Sequence, residues 1–441
     1  MALSNHKMSI LVIFCILSLV ATLPKSNAGI AKFDDYLKKK ANESFEESLE
    51  AFVKDPEELT DQFNQQVGAA LVSENVTRRN LGEGDCMATN PIDRCWRCDP
   101  NWAKNRKKLA DCGLGFGYRA TGGKMGNFYV VTDPSDDEMD QPKPGTLRHA
   151  VIQPEPLWII FKHHMVIRLK NELIFASDKT IDGRGVQVHI AYGAGLTLQF
   201  VHNIIIHNVW IHDIVTAEGG MIRDTVEHIG IRTQSDGDAI SIFSSNNIWI
   251  DHCSLSKGTD GLVDVIEGST AVTISNCKFN HHNDVMLLGA HDESSKDAIM
   301  QVTVAFNRFG KGLIQRMPRC RWGFVHVVNN DYQHWEMYAI GGSAHPTILS
   351  QGNRFRASNN PNTKEVTKRD YATKEEWSKW QWRSEGDLLL NGAFFVESGP
   401  QMQHRKDPLT TENLIKFKPG SFAGRLTRYA GALRCHVSRP C

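Results

Sequence analysis

Short apolar runs that end on asparagine recur along this 441-residue chain, and their spacing limits what it can fold into. The runs end, in order, at Asn208, Asn276, Asn307, Asn330 and Asn353. A similar run ends at His252, which is 44 residues, or two units of 22, after Asn208. From His252 onward, successive runs end 24, 31, 23 and 23 residues apart. Spacings in this range are typical of solenoids, in which each repeat stacks on the one before.

The repeats have the composition of strands. They are rich in Val, Ile, Thr and Phe, alternate with period two and are broken by Gly, Asn, Ser and Asp. This predicts an all-β fold, a right-handed single-stranded parallel β-helix, with strands from about Phe128 to Phe355. Since coils stack about 4.8 Å apart, residues in the same register lie above one another. The asparagines at 276, 307, 330 and 353 are therefore expected to form a ladder.

Three aspartates and an arginine share this spacing. Asp236 and Asp260 are 24 residues apart, or one coil, and Asp264 follows Asp260 by four, an even step that keeps one face of a strand. Arg316 lies 56 residues after Asp260, close to two coils. We expect the three carboxylates to converge and Arg316 to reach toward them, because two coils span roughly 10 Å.

The ends of the chain predict an exported protein. Residues 1–28 have the pattern of a signal peptide, with Lys7 before an apolar run and small residues at 26–28. Residues 29–85 predict a short helical N-terminal extension, and residues 86–441 the β-helix with a C-terminal tail packed on the coils. No later stretch is long and apolar enough for a membrane anchor. Asn42 and Asn75 are candidate glycosylation sites.

Cysteines and charge narrow the function further. Four of the ten cysteines cluster between residues 86 and 112, which in an exported chain favours disulfides over a zinc or redox site. The chain has 50 basic and 50 acidic residues, so attraction to a charged partner must be local. From Gln301 to Asn330 there are no acids, and the cations are Arg308, Lys311, Arg316, Arg319 and Arg321. Nucleic acid is not expected as a partner of a secreted protein.

Three clustered carboxylates can form a metal site, an acid and base pair, or a set of solvated turn residues. Oxygen-only ligands favour Ca²⁺ over Zn²⁺, and Asp238 is a further possible ligand. His252, His281 and His282 offer a zinc alternative, but no further ligand has the spacing of a zinc site, so packing and turn roles are favoured.

Several motifs resemble the plant pectate lyases, polysaccharide lyase family 1. They are Ser235–Ser241 (SDGDAIS), Ile248–Ser256 (IWIDHCSLS), Asp260–Asn276 and Gln315–Arg321 (QRMPRCR), and the similarity runs from about Asn90 to Arg369. The N-terminal extension and Leu287–Asp292 (LLGAHD) look most like the pollen and anther members, which include pollen allergens.

The resemblance implies a secreted cell-wall enzyme, expected to be a monomer, that degrades pectin. It would cleave de-esterified α-1,4-polygalacturonate by β-elimination to unsaturated products. The matching positions are Asp236, Asp260 and Asp264 for Ca²⁺, Arg316 for catalysis by proton abstraction, and Arg321 for binding a neighbouring uronate of the substrate.

Two features leave alternatives open. A guanidinium is a poor base; bound Ca²⁺ and nearby cations would disfavour its charge, or Arg316 would instead stabilise the enolate while water or hydroxide takes the proton. Asp284 stands where many bacterial relatives have a substrate-binding Lys, so that contact is missing or supplied by a cation such as Lys311. The other functions considered are a polygalacturonase-like hydrolase with paired carboxylates and a non-catalytic, allergen-like protein that binds pectin.

Overall fold

A computed structural model of the chain describes residues 35–77, 86, 88–400 and 418–441. The predicted signal peptide and the side chain of Asn75 lie outside the described residues. Asn42 is exposed on a helix.

Three parallel sheets run the length of a stacked coil. Sheet A has the strands Asn127–Val131, Leu157–Phe161, Lys179–Asp182, His202–His207, Asn246–Asp251, Thr270–Ser275, Gln301–Ala305, Phe324–Val328, Thr347–Gln351 and Trp382–Glu385. Sheet B has the strands Met165–Ile167, Val188–Ala191, Trp210–His212, Ser254–Ser256, Lys278–Asn280, Arg308–Phe309, Asp331–Tyr332, Arg354–Arg356 and Leu388–Leu390. Sheet C has the strands Leu173–Ile174, Leu196–Gln199, Ile240–Phe243, Val263–Ile266, Met286–Leu288, Arg319–Arg321, Ile340–Ser343 and Thr367–Arg369.

Each complete coil contributes one strand to each sheet, and each strand pairs in parallel with its counterpart one coil away. Inward side chains from all three sheets form one continuous apolar core, in which Ile204, Ile248, Val272 and Val302 are fully buried. This is the predicted parallel β-helix.

The coil extends further than the prediction of a last strand near Phe355. Trp382–Glu385 continues sheet A beyond Thr347–Gln351, and Leu388–Leu390 continues sheet B. Trp382 is fully buried in the main core and Trp380 nearly so. The final coil was not predicted, because polar residues around these tryptophans interrupt the apolar alternation that indicates a strand.

The asparagine ladder is shorter than predicted. Asn330 donates to Asn353 (3.0 Å), and Asn307 donates to Asn330 (3.1 Å). Asn276 is displaced by one position, because Ser275 pairs with Ala305 and places Cys277, not Asn276, beside Asn307. It instead takes a turn with positive φ (51°) and donates to Asp251.

The helices pack on the outside of the coil. They span Asp35–Ala51, Pro56–Thr77, Pro91–Trp96, Leu147–Val151, Lys374–Trp377 and Ala423–Leu426. The first helix buries Leu37, Ser44, Ser48 and Ala51 on one face, whereas Leu49 is 42% exposed. Small residues on that face let the helix approach the sheet closely, and Ser44 Oγ donates to the Ser244 carbonyl oxygen at 2.5 Å.

Disulfides join Cys86 to Cys98, Cys95 to Cys112 and Cys435 to Cys441, while Cys253, Cys277 and Cys320 are buried free thiols. The first two disulfides hold the segment that begins with the helix Pro91–Trp96. No helix of the described residues combines the length and the apolar character needed to cross a membrane.

A buried ion pair ties this disulfide-held segment to the coil. Asp93 contacts His252 Nε2 at 2.7 Å and Arg97 at 2.6 Å, with all three side chains nearly or fully buried. Burial opposes the charge on both Asp93 and His252, but the partners outweigh it, lowering the pKa of Asp93 to about 2 and raising the pKa of His252. The His252 position is therefore structural.

We predict that Asp93→Asn lowers the free energy of unfolding by about 3 kcal/mol near pH 6, because it leaves buried cations unpaired. His252, with its raised pKa, contributes stability that is complete below about pH 6.5 and is lost as pH rises through its folded pKa. The penalty should therefore shrink toward about pH 8. Denaturant unfolding at both pH values checks this.

Asp111→Asn, which breaks the more exposed pair with Lys124, is the control. An equal loss of stability in both variants would contradict the prediction.

Candidate active site

Four carboxylates gather where two neighbouring coils enter sheet C. Asp236 and Asp238 precede the strand Ile240–Phe243, Asp260 precedes Val263–Ile266, and Asp264 lies within that strand. Asp264 pairs with Ser241 one coil away, and both side chains point outward from the core. We call Asp236, Asp238, Asp260 and Asp264 the acidic cluster.

The one-coil separation of Asp236 and Asp260 is as predicted, but the reason given for Asp260 and Asp264 is wrong. Asp260 lies in a bend rather than a strand, so an even step along a strand does not apply. Gly261 makes the close approach possible: a side chain there would collide with Oδ1 of both Asp238 and Asp264. The Gly261 N–H also donates to Asp238 Oδ1 at 2.6 Å.

The carboxylates of the acidic cluster repel one another. Burial, followed by the charges of Asp264, Asp236 and Asp260, raises the pKa of Asp238 well above its usual value. Burial, followed by the charges of Asp260 and Asp236, does the same to the pKa of Asp264. The pKa of Asp260 is also raised, by burial and by Asp236. A cation would relieve this repulsion.

The chemistry of the acidic cluster fits a hard cation. All of its side-chain donors are oxygens, and Asp264 Oδ1 is a buried acceptor without a hydrogen-bond partner in the described part of the chain. As they stand, however, no three His, Cys, Asp or Glu side chains of the described residues form a set that could hold a metal ion. A Ca²⁺ ion there would complete its shell of about six to eight oxygen ligands with backbone carbonyls, water or substrate.

Arg316 sits on a bulge two coils beyond the acidic cluster. Asp284 pairs with Gln315 and Leu287 with Arg319, so the coil of Arg316 has one residue more between these points than its neighbour. Arg316 takes the left-handed backbone conformation (φ 60°), which is costly for a non-glycine residue and common at functional sites. Its positive charge offsets part of the rise in the pKa of Asp260 and Asp264, so Arg316 acts electrostatically on the acidic cluster.

Asp284 contacts Arg316 directly. Arg316 Nε forms an ion pair with Asp284 Oδ1 at 2.9 Å, and the two side chains are 31% and 21% exposed. Gln315 also donates to Asp284 Oδ1, at 3.0 Å. Asp284 thus orients Arg316, and a carboxylate in this position favours a charged guanidinium.

The other two arginines of this coil are held by different partners. Arg321 donates to Asp292 Oδ1 and to the Gly289 carbonyl oxygen, both at 2.7 Å, and burial lowers its pKa. Arg319 is buried and donates to Asp370 at 2.7 Å. The Arg321 side chain is 14% exposed, and its two contacts fix the orientation of its guanidinium. Arg319 has a structural role.

Sequence reasoning missed two acidic side chains. Asp292 holds Arg321 and accepts a 2.6 Å hydrogen bond from Ser343 Oγ. Glu172 accepts from Thr197 Oγ1 at 2.8 Å, and its pKa is raised by burial and by Asp236. Asp292 lies 29 residues before Arg321, a coil-like spacing that could have indicated the contact. Glu172 offers no such signal.

The histidines have packing roles. His252 is bonded to Asp93, and His282 Nε2 is hydrogen-bonded to the backbone carbonyl of Asp260. His281 lies in a turn with positive φ (48°), beside Gly312.

Comparisons with known proteins show the family of this chain. The family model described as pectate lyase matches residues 167–375, and that described as pectate lyase, N terminus, matches residues 29–81. The chain is 60% identical to a pectate lyase of Lilium longiflorum over 424 residues, which covers 96% of this chain and 97% of the relative. It belongs to the pectate lyase family. It is also 53% identical to probable pectate lyase 7 of Arabidopsis thaliana, covering 97% of this chain and 98% of the relative.

Solved structures of this family share the fold. The crystal structure of Jun a 1, the major allergen from cedar pollen, superposes with a TM-score of 0.74 at 47% identity, covering 78% of this chain and 99% of that one. A thermostable pectate lyase, PL 47, superposes with a TM-score of 0.53 at 19% identity, covering 73% of this chain and 97% of that one. The likeness at 19% identity concerns the β-helix alone.

Proposed function

We propose that this pectate lyase family member is a calcium-dependent enzyme that cleaves de-esterified α-1,4-polygalacturonate by β-elimination. The observation that carries the proposal is the acidic cluster. Its carboxylates repel one another, one of them has a buried oxygen without a hydrogen-bond partner among the described residues, and the charge of Arg316 acts on them from two coils away. The names of the relatives support the substrate and the reaction.

Asp236, Asp260 and Asp264 would hold Ca²⁺, with Asp238 close enough to contribute. When bound, the ion would act as a Lewis acid on the uronate carboxylate and offset the second negative charge that forms when the adjacent C–H bond breaks. The stacked coils of the solenoid hold the carboxylates and Arg316 in fixed relative positions before substrate binds.

Arg316 would act at the carbon from which the proton is lost. Because its Nε is in an ion pair with Asp284, its terminal nitrogens are the atoms left to face substrate. The Asp284 contact favours a charged Arg316 that stabilises the enolate, with water or hydroxide removing the proton, over Arg316 itself as the base. Elimination then expels the glycosidic oxygen and leaves an unsaturated uronate.

Arg321 would bind the carboxylate of a neighbouring uronate. Its guanidinium is oriented by Asp292 and Gly289, so little conformational entropy would be lost on binding. Lys311 is exposed in the turn before Leu313–Gln315 and remains a candidate for the substrate contact that Asp284 does not provide.

The proposal predicts that the purified protein releases products with ultraviolet absorbance from polygalacturonate and that chelation of divalent ions lowers the rate by at least about a hundredfold. Restoring Ca²⁺ should restore the rate, which distinguishes chelation from unfolding. The measurement is the initial rate of absorbance increase with and without chelator.

The same assay separates the alternatives. A polygalacturonase-like hydrolase would release reducing ends without absorbance, and a binding-only wall protein would retain polymer without releasing product. Either result, or full activity after metal removal, would refute the proposal. We place the enzyme outside the cell, in the plant cell wall, on the basis of its predicted signal peptide and its substrate.

A further inference from the structure

A groove of about 820 Å³ opens on the side of the acidic cluster opposite to Arg316. It is lined by consecutive coils, with Val166, Tyr192 and Val215 contributing apolar surface that is 51%, 54% and 46% exposed. We call it the Tyr192 groove.

The Tyr192 groove abuts the acidic cluster through its walls. Thr216 lines the groove, and a Cβ added to Gly237, between Asp236 and Asp238, would lie 3.4 Å from the Thr216 methyl group. The N–H of Ala217, also in the groove, donates to Ser235 Oγ at 2.8 Å. A polymer that crosses the acidic cluster along the coil axis can therefore continue into this groove.

The charges around the Tyr192 groove do not favour uronates. Three carboxylates on its rim are already neutralised, each by an ion pair of 2.6 Å: Asp133 with Lys143, Asp136 with Arg148 and Asp137 with Lys170. Glu218 lines the groove and has no ion-pair partner among the described residues. Glu138 and Asp140 add further negative charge to the segment that forms the rim.

Two cations stand against these three acids. Arg168 lines the groove and Arg223 donates to the backbone of Asp140 nearby. The Arg316 side of the acidic cluster differs, because there the stretch from Gln301 to Asn330 contains five cations and no acid. The two sides of the cluster thus suit sugars of different charge.

We propose that the Tyr192 groove is a distal subsite for a methyl-esterified, uncharged galacturonate of the same pectin chain whose free uronates occupy the Arg316 side. The inference rests on the proposed function. An exposed tyrosine ring that lines the groove together with two valines matches the apolar face of a sugar and an ester methyl group, whereas the excess of acids over cations around the groove disfavours a free carboxylate.

The test compares kcat/KM on a partly methyl-esterified pectin with kcat/KM on polygalacturonate, both measured by product absorbance. Tyr192→Ala should lower the ratio of the first to the second about tenfold, the loss expected for removing one well-packed aromatic contact. Tyr118→Ala, an exposed tyrosine in the turn Phe116–Arg119, should leave the ratio unchanged. An unchanged or raised ratio in Tyr192→Ala would overturn the subsite.

Glu218→Lys gives a second, independent readout. The new cation should raise kcat/KM on polygalacturonate about threefold, by attracting uronates that the native groove disfavours. If the groove instead held uronates bridged by calcium, the same variant would lower this value, and the proposal would be wrong. A wild-type protein without absorbing product would refute the proposed function itself. An active wild type whose substrate ratio Tyr192→Ala does not change would refute only the subsite.

Discussion

Arg316→Lys should reduce turnover of polygalacturonate at neutral pH by at least about a hundredfold, the range found for removing one group that stabilises charge or moves a proton in a transition state. Lysine keeps the positive charge but lacks the planar fork of a guanidinium. Its three donors share one nitrogen, so it cannot contact Asp284 through one nitrogen, as Arg316 does through Nε at 2.9 Å, and present coplanar N–H groups to substrate from two others. The measurement is kcat from product absorbance at saturating calcium.

Arg308→Lys is the matched control, since Arg308 belongs to the same basic stretch but lies in sheet B. It should retain full activity. Substantial turnover in Arg316→Lys would show that no guanidinium is needed, which contradicts both roles considered for Arg316.

Asp284→Asn separates those two roles. It keeps a hydrogen-bond acceptor beside Arg316 but removes the carboxylate charge. If Arg316 acts as a charged stabiliser held by Asp284, activity should fall. If Arg316 must lose its proton to act as a base, removal of the carboxylate should raise activity at neutral pH, because the charged form is then less favoured.

Asp264→Asn should abolish most of the activity and, in the presence of chelator, make the fold more stable. Asp264 is buried among other carboxylates, its pKa is raised well above the usual value, and Oδ1 has no partner in the described part of the chain. Removing this charge should raise the midpoint of thermal unfolding by a few degrees without metal. At the same time the cluster loses a proposed calcium ligand, and we expect kcat/KM at limiting Ca²⁺ to fall at least about a hundredfold.

Asp297→Asn provides the control for stability without function. Asp297 is also buried, with a pKa raised to about 7 and an Oδ2 atom without a partner among the described residues, but it lies in the short helix Ser295–Ile299. Its replacement should alter unfolding and leave calcium-dependent turnover intact. If Asp264→Asn instead destabilised the metal-free protein and kept its activity, Asp264 would not be a calcium ligand.

Spacing correctly predicted the coils on which the aspartates and Arg316 lie, because parallel stacking converts sequence distance into position. Asp264 pairs with the row of Leu287 and then Arg319, so the two coil steps expected between the acids and Arg316 are present. The same approach failed where one residue was inserted or shifted. Asn276 fell out of the ladder by one position, and Arg316 was displaced onto a bulge that periodicity alone does not reveal.

The sequence by itself determined the stacked β-coil, the neighbouring aspartates and the family, because these depend on regular repeats and local motifs. Only the tertiary structure decided that Asp284 orients Arg316, that Asp292 fixes Arg321, and that the Tyr192 groove adjoins the acidic cluster. Those contacts join loops from different coils, and a shift of one residue in register, or a turn with positive φ, changes which side chains meet. The physical reason is that repeats fix the position of a coil, whereas the loops between strands set the direction of each charged side chain.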